Sequence, residues 1–172
     1  MKLNKFAVAI TLAAGLTSVA HAADQGHGTV TFTGSIIEAP CSINPESVDQ
    51  TVALGSVATV ALADSGTSTP RPFQIKLENC SFSTASGVST TFTGAEGADG
   101  LLGMTGTAKG ASIAITDGTG AVIKMGMPST AQQLQEGSNT LSFSAYLKGD
   151  GNSVTVVPGE FQSIADFSLS YQ

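Results

Sequence analysis

The chain has 172 residues, with thirteen acidic against seven basic side chains and a net charge of −6, no tryptophan and two tyrosines. That acidic balance argues against nucleic acid or an anionic membrane as a partner. Charged residues are few while Gly, Ser, Thr, Ala and Val are plentiful, which suits short strands and tight turns rather than long helices.

Residues 1–22 carry Lys2 and Lys5, an apolar run over residues 6–16, and Ala20-His21-Ala22 as a small-x-small site. This is the pattern of a secretory signal peptide cleaved after Ala22, and the apolar run is too short to span a membrane. Without its first 22 residues the chain keeps 150, enough for one domain with a real core, and a net charge near −8.

Residues 23–28 show no periodicity. From Thr29 the chain alternates strictly: Val30, Phe32, Gly34 and Ile36 share one face, and Thr29, Thr31, Thr33 and Ser35 the other. Pro40 ends this strand pattern immediately before Cys41. Cys41 and Cys80 are an even pair in an exported chain, which predicts one disulfide. Closing a loop of about 40 residues stabilises by roughly 4 kcal/mol in the chain-entropy model.

Strand-like runs follow at residues 51–55 and 57–62, then a turn-rich connection through residue 72. Phe73, Ile75 and Leu77 alternate inward; Cys80 falls on the opposite parity, so the strand has ended or a bulge resets it. Residues 88–93 predict another strand, and the Gly-rich stretch 95–110 a loop. Residues 111–116 and 121–125 flank Asp117-Gly118-Thr119-Gly120, a hairpin signal. A further strand places Leu141, Phe143, Ala145 and Leu147 inward, followed by a turn at residues 149–152 and a short strand at 154–157.

The last fourteen residues, 159–172, put Phe161, Ala165, Phe167, Leu169 and Tyr171 on one face. The chain then stops, with no later strand to cover the outer edge of this one. Evenly spaced strands without intervening helices predict an all-β, antiparallel sandwich.

Catalytic chemistry finds no support in these residues. His27 is the one histidine beyond the signal peptide, the carboxylates are scattered on turns, and residues 95–110 lack the Lys-Ser/Thr ending of a phosphate loop. The methionines at 125 and 127 have no His or Cys companions for a metal. No cofactor and no metal site is expected.

Taken together, the alternating segment around Gly34, Ala39-Pro40-Cys41-Ser42-Ile43, Glu78-Asn79-Cys80, Gly159 fourteenth from the end and the penultimate Tyr171 make the chain resemble a chaperone–usher pilin. The likeness is to the major structural subunits of type 1 and P pili, over essentially the whole mature length. The resemblance implies an immunoglobulin-like sandwich lacking its final strand, with residues 23–38 as an N-terminal donor strand and 39–172 as the pilin domain. It implies that Val30, Phe32, Gly34 and Ile36 enter the groove of a neighbouring copy, with Gly34 at a constricted point. Gly159, Phe161, Phe167, Leu169 and Tyr171 would belong to the accepting strand. The implied partners are other pilins, a periplasmic chaperone and an outer-membrane usher, and the implied location is a surface fimbria supporting adhesion. Alternatives are a minor or adaptor pilin, a secreted carbohydrate-binding sandwich, and a leader paired within its own domain; the carbohydrate reading would want aromatic platforms that this chain lacks.

Overall fold

The computed structural model describes residues 27–82 and 87–172. The expected signal peptide, and residues 23–26 of the expected donor segment, lie outside the described residues. The chain divides into two units, Met1–Ile36 and Ile37–Gln172.

In the first unit, residues 27–36 adopt no strand or helix, and Val30, Phe32 and Ile36 are 74%, 90% and 104% exposed. In the second, the elements in chain order are β1 (Ser42–Ile43), α1 (Pro45–Val48), α2 (Thr59–Leu62), β2 (Arg71–Cys80), β3 (Gly87–Gly94), β4 (Thr105–Gly106), β5 (Ala111–Thr116), β6 (Val122–Ile123), β7 (Gln132–Gln133), β8 (Gly137–Gly149), β9 (Phe161–Gln162) and β10 (Ala165–Tyr171). They form a five-stranded sheet ordered β1-β2-β8-β5-β6, a three-stranded sheet ordered β10-β3-β7, and the pair β4-β9. Every ladder is antiparallel.

The period-two pattern explains why the two main sheets face each other. Ile75 and Leu77 of β2 and Leu141, Phe143, Ala145 and Leu147 of β8 are all buried, while their neighbours point outward. Phe143 of the larger sheet meets Phe92 of β3 edge-on, with centroids 5.3 Å apart, and stacks with Phe73 at 5.5 Å. Such ring pairs add about 0.5–1.5 kcal/mol beyond area burial. Phe73 itself is half-buried, one end of this cluster being open.

Cys41 and Cys80 form the disulfide, with Cα atoms 4.1 Å apart. Cys80 reaches the interior through a bulge: Leu77 faces Asn139 and Cys80 faces Gly137, so β2 uses three steps where β8 uses two, and Asn79 takes a left-handed φ of 53°. The Pro40 carbonyl accepts from the Ser81 amide at 2.9 Å, so the root of residues 37–41 is fastened to the end of β2.

Three expected strands are not strands. Residues 51–58 are irregular and Thr59–Leu62 is a single helical turn. Val52, Leu54 and Val57 do turn toward the core, but among the described residues no ladder partner lies beside this segment, and Gly55 at φ 76° breaks its extension. Residues 154–157 contribute only one bridge, Val157 to Lys109, and the strand at 121–125 contracts to β6. The C-terminal strand is divided at Ser163 and Ile164. Its opposing chain causes the break: Gly94 faces Ala165 and Thr105 faces Gln162, with residues 95–104 making an excursion between them.

The β5–β6 turn closes on Asp117, which is buried and accepts from the Thr119 hydroxyl at 2.6 Å, the Thr119 and Ala121 amides at 2.9 and 3.1 Å, and the Thr130 amide at 3.3 Å. Burial pushes its pKa up, but these donors outweigh it and hold the carboxyl at about 2. A depressed folded-state pKa stabilises the fold above the unfolded value near 4, and the stabilisation fades as pH falls from about 4 to about 2. Asp117→Ala should therefore cost about 1–2 kcal/mol at pH 7, with the wild-type advantage gone near pH 2, as read by urea unfolding across pH. The pair Cys41→Ser, Cys80→Ser should cost about 2–5 kcal/mol in the same measurement.

Candidate functional site

Among the described residues β10 is the outermost strand of its sheet, with β3 along one edge and none along the other. The β4–β9 pair and the Val157–Lys109 bridge continue the β3 side of the ladder toward residue 157. One side of the C-terminal segment is thus paired from about Val157 to Tyr171, and β10 has an open edge on the other.

The inward face of β10 shows what an uncovered edge does to a core. Ala165, Phe167, Leu169 and Tyr171 are only half-buried, whereas the equivalent positions of β8 are closed off. Phe167 leans on Phe92 with centroids 6.5 Å apart and otherwise faces a hollow. That hollow is a cleft of about 890 Å³ with an apolar floor and mixed walls. One wall is residues 47–57, the other residues 156–167, and the floor is made by Phe73, Ile75, Phe92, Ile113 and Leu147 of the core. Among the described residues, no backbone hydrogen bond ties residues 51–57 to another segment. Both rims therefore offer unpaired amides and carbonyls above an apolar floor, an arrangement that accepts a strand.

Of the residues expected in an accepting strand, Gly159, Phe161 and Phe167 line the cleft. Leu169 and Tyr171 lie farther along, on the same face of the strand and packed against the core. Gly159 has a local reason to lack a side chain: a Cβ there would strike the Thr107 hydroxyl and the Ala108 backbone. The Thr107 hydroxyl accepts from the Glu160 amide at 3.0 Å, so the glycine lets residues 105–109 lie flush against the cleft's end. At Gly34 nothing among the described residues lies within 4 Å of a Cβ position, so no contact among them requires a glycine there.

Of the wall at residues 47–57 the sequence showed only strand-like runs at 51–55 and 57–62, and its neighbours Leu102 and Met104 were hidden in a Gly-rich stretch. The doublet Leu101-Leu102 was the available signal, since two leucines amid glycines mark a loop that dips into a core; both are buried. Burial raises the Tyr171 pKa above its ordinary value. In a Tyr146→Phe variant, where Tyr171 is the sole phenol, spectrophotometric titration should give a midpoint above the usual value of about 10. A midpoint at or below that value would mean a solvated ring.

An open-edged, disulfide-pinned sandwich beside a cleft with an apolar floor defines a class of protein built to receive a strand. Residues 30–172 match the model of a family described as fimbrial protein. The chain is 59% identical to the Fimbria A protein of Serratia marcescens and 53% identical to the Major MR/P fimbria protein of Proteus mirabilis, each alignment covering all of both chains. The crystal structure of the P pilus rod subunit PapA superposes with a TM-score of 0.68 at 30% identity, covering 78% of this chain and all of that one. A chaperone–usher pilus structure concerned with rod uncoiling superposes at 0.74 with 31% identity, covering 86% and 97%. The chain belongs to the fimbrial protein family and is a structural pilin.

Proposed function

We propose that this pilin polymerises head to tail, the segment 23–38 of one copy lying in the cleft of the next and pairing with the free edge of β10. The observation that carries this reading is a complementarity of defects. The described part of the segment exposes Val30, Phe32 and Ile36 almost fully and has no ladder, while the body holds a cleft with an apolar floor beside an unpaired strand. Burying each of these side chains is worth about 1.5–3 kcal/mol, and each ladder hydrogen bond about 0.5–1.5 kcal/mol. A joint between unlike surfaces does not close on itself, so it propagates as a filament. Pilus assembly is itself a familiar instance of strand addition.

The exposed cleft also explains the need for a periplasmic chaperone that lends a strand after the signal peptide 1–22 is removed, and for an outer-membrane usher at which the incoming copy displaces it. An unprotected apolar edge would otherwise aggregate. The finished polymer is a surface fimbria that supports adhesion. The names of the relatives, one a major fimbria protein and one a rod subunit, favour the shaft over a minor or adaptor role.

Deleting residues 23–38 should leave a subunit that a chaperone can still hold but that forms no filaments by electron microscopy; filaments from the deletion would overturn the reading. Gly34→Val should block polymerisation with the body's unfolding midpoint unchanged, because its only steric conflict is with a neighbour's backbone.

A further inference from the structure

The cleft is almost uncharged, and its charges are unevenly placed. Among the residues lining it, Lys109 is the single cation; Asp49, Glu160 and Asp166 are the acids. Lys109 is held at one end by reciprocal backbone bonds with Val157, at 3.2 and 2.9 Å, and its side chain is exposed. The ion pairs of the described residues, Lys76–Glu46 and Lys148–Asp99, leave it without a carboxylate. In a chain with thirteen acids and seven bases, an unpaired lysine at the mouth of a docking cleft is available to an incoming acid.

At the opposite end Gln172 is fixed by paired backbone bonds to Gly87 at 2.9 and 3.1 Å. A strand laid along this cleft therefore meets the cleft's single cation at the residue-157 end, on the side that also carries Glu160.

The entering segment has a matching asymmetry. In extended conformation Glu38 falls on the same face as Val30, Phe32, Gly34 and Ile36, two residues beyond the last apolar side chain. Glu38 is exposed. With the apolar residues in the cleft, Glu38 reaches the rim, where a carboxylate is welcome beside Lys109.

We propose that Lys109 pairs with Glu38 of the incoming copy and thereby fixes the direction and register of the docked strand. This rests on the reading that residues 23–38 occupy a neighbour's cleft. The pair sets the segment antiparallel to β10, with the root of the next body at the residue-157 end. A copy's own Glu38 does not make the pair. It lies three residues from Cys41, a reach of at most about 11 Å, and Cys41 is bonded to Cys80 at the end of β2, seven residues before Gly87. Glu38 is thus rooted at the residue-172 end of its own sandwich, so the contact reports on joints between copies. The pair sits at the rim and acts mainly on the rate and fidelity of joining.

The test uses native filaments treated with a zero-length carbodiimide, then digested and read by mass spectrometry. A cross-link between Lys109 and Glu38 is expected; a cross-link from Lys109 to Asp24, or none at Lys109, would overturn the proposal. Charge reversal supplies a second arm. Lys109→Glu and Glu38→Lys should each slow assembly by about two- to fivefold at low salt, with the deficit shrinking at high salt. The two reversals combined should recover the wild-type rate, whereas additive or absent effects would contradict the pairing. If the segment-deleted subunit still polymerises, the strand-docking reading fails instead, and the two failures are told apart.

Discussion

The rest of this molecule depends on a backbone constraint: among the described residues β10 has a ladder partner on one edge and none on the other. A strand in that position cannot close its own core. Phe167, Leu169 and Tyr171 remain half-buried while Phe143 and Leu141 of the opposite sheet are sealed. The cleft beneath β10 is the volume that a further strand would fill. The same constraint explains the segment 51–58, whose apolar residues turn inward although its backbone finds no partner to make it a strand. Both irregularities are consequences of a single missing element.

Around this deficiency the body is firmly built. The Phe73–Phe92–Phe143 cluster ties the two sheets together, the disulfide holds the entry of the chain to the end of β2, and Asp117 staples the β5–β6 turn to residue 130. Rigidity matters to a site that must stay open: a plastic core would collapse into its own cleft, and the edge would be lost. The close approach at Gly159 belongs to the same scheme, since it keeps residues 105–109 against the cleft's end without a side chain in the way.

Much of this was readable in the residues, and the limits of reading have physical causes. Strict alternation revealed β2, β8 and β10, because a strand with one buried face repeats every two residues. Residue parity at Cys80 announced a strand end or a bulge, and Asn79 makes the bulge. Residues 57–62 misled because a run of Val, Ala and Leu satisfies strand and helix alike, and only the neighbours decide; among the described residues no strand pairs with this segment, and Thr59–Leu62 coils into a turn with Leu62 packed against Gly149. The break at Ser163–Ile164 was invisible because it is imposed by an excursion some sixty residues earlier in the chain. Of the cleft, the C-terminal wall was legible from its own alternation. The opposite wall was not, since a backbone waiting for a partner has no pattern that distinguishes it from an ordinary strand. The charge at Lys109 was equally hidden, its meaning arising only from where residue 157 lies.

Amide hydrogen exchange, compared between the isolated subunit and the assembled filament, addresses the open edge most directly. The account predicts that in the isolated subunit the β10 amides facing away from β3 and all amides of residues 29–38 exchange rapidly. In the filament both sets should become protected together, with the β2 and β8 amides slow throughout. Protection of residues 29–38 in the isolated subunit, or a β10 edge that exchanges equally fast in the filament, would contradict it.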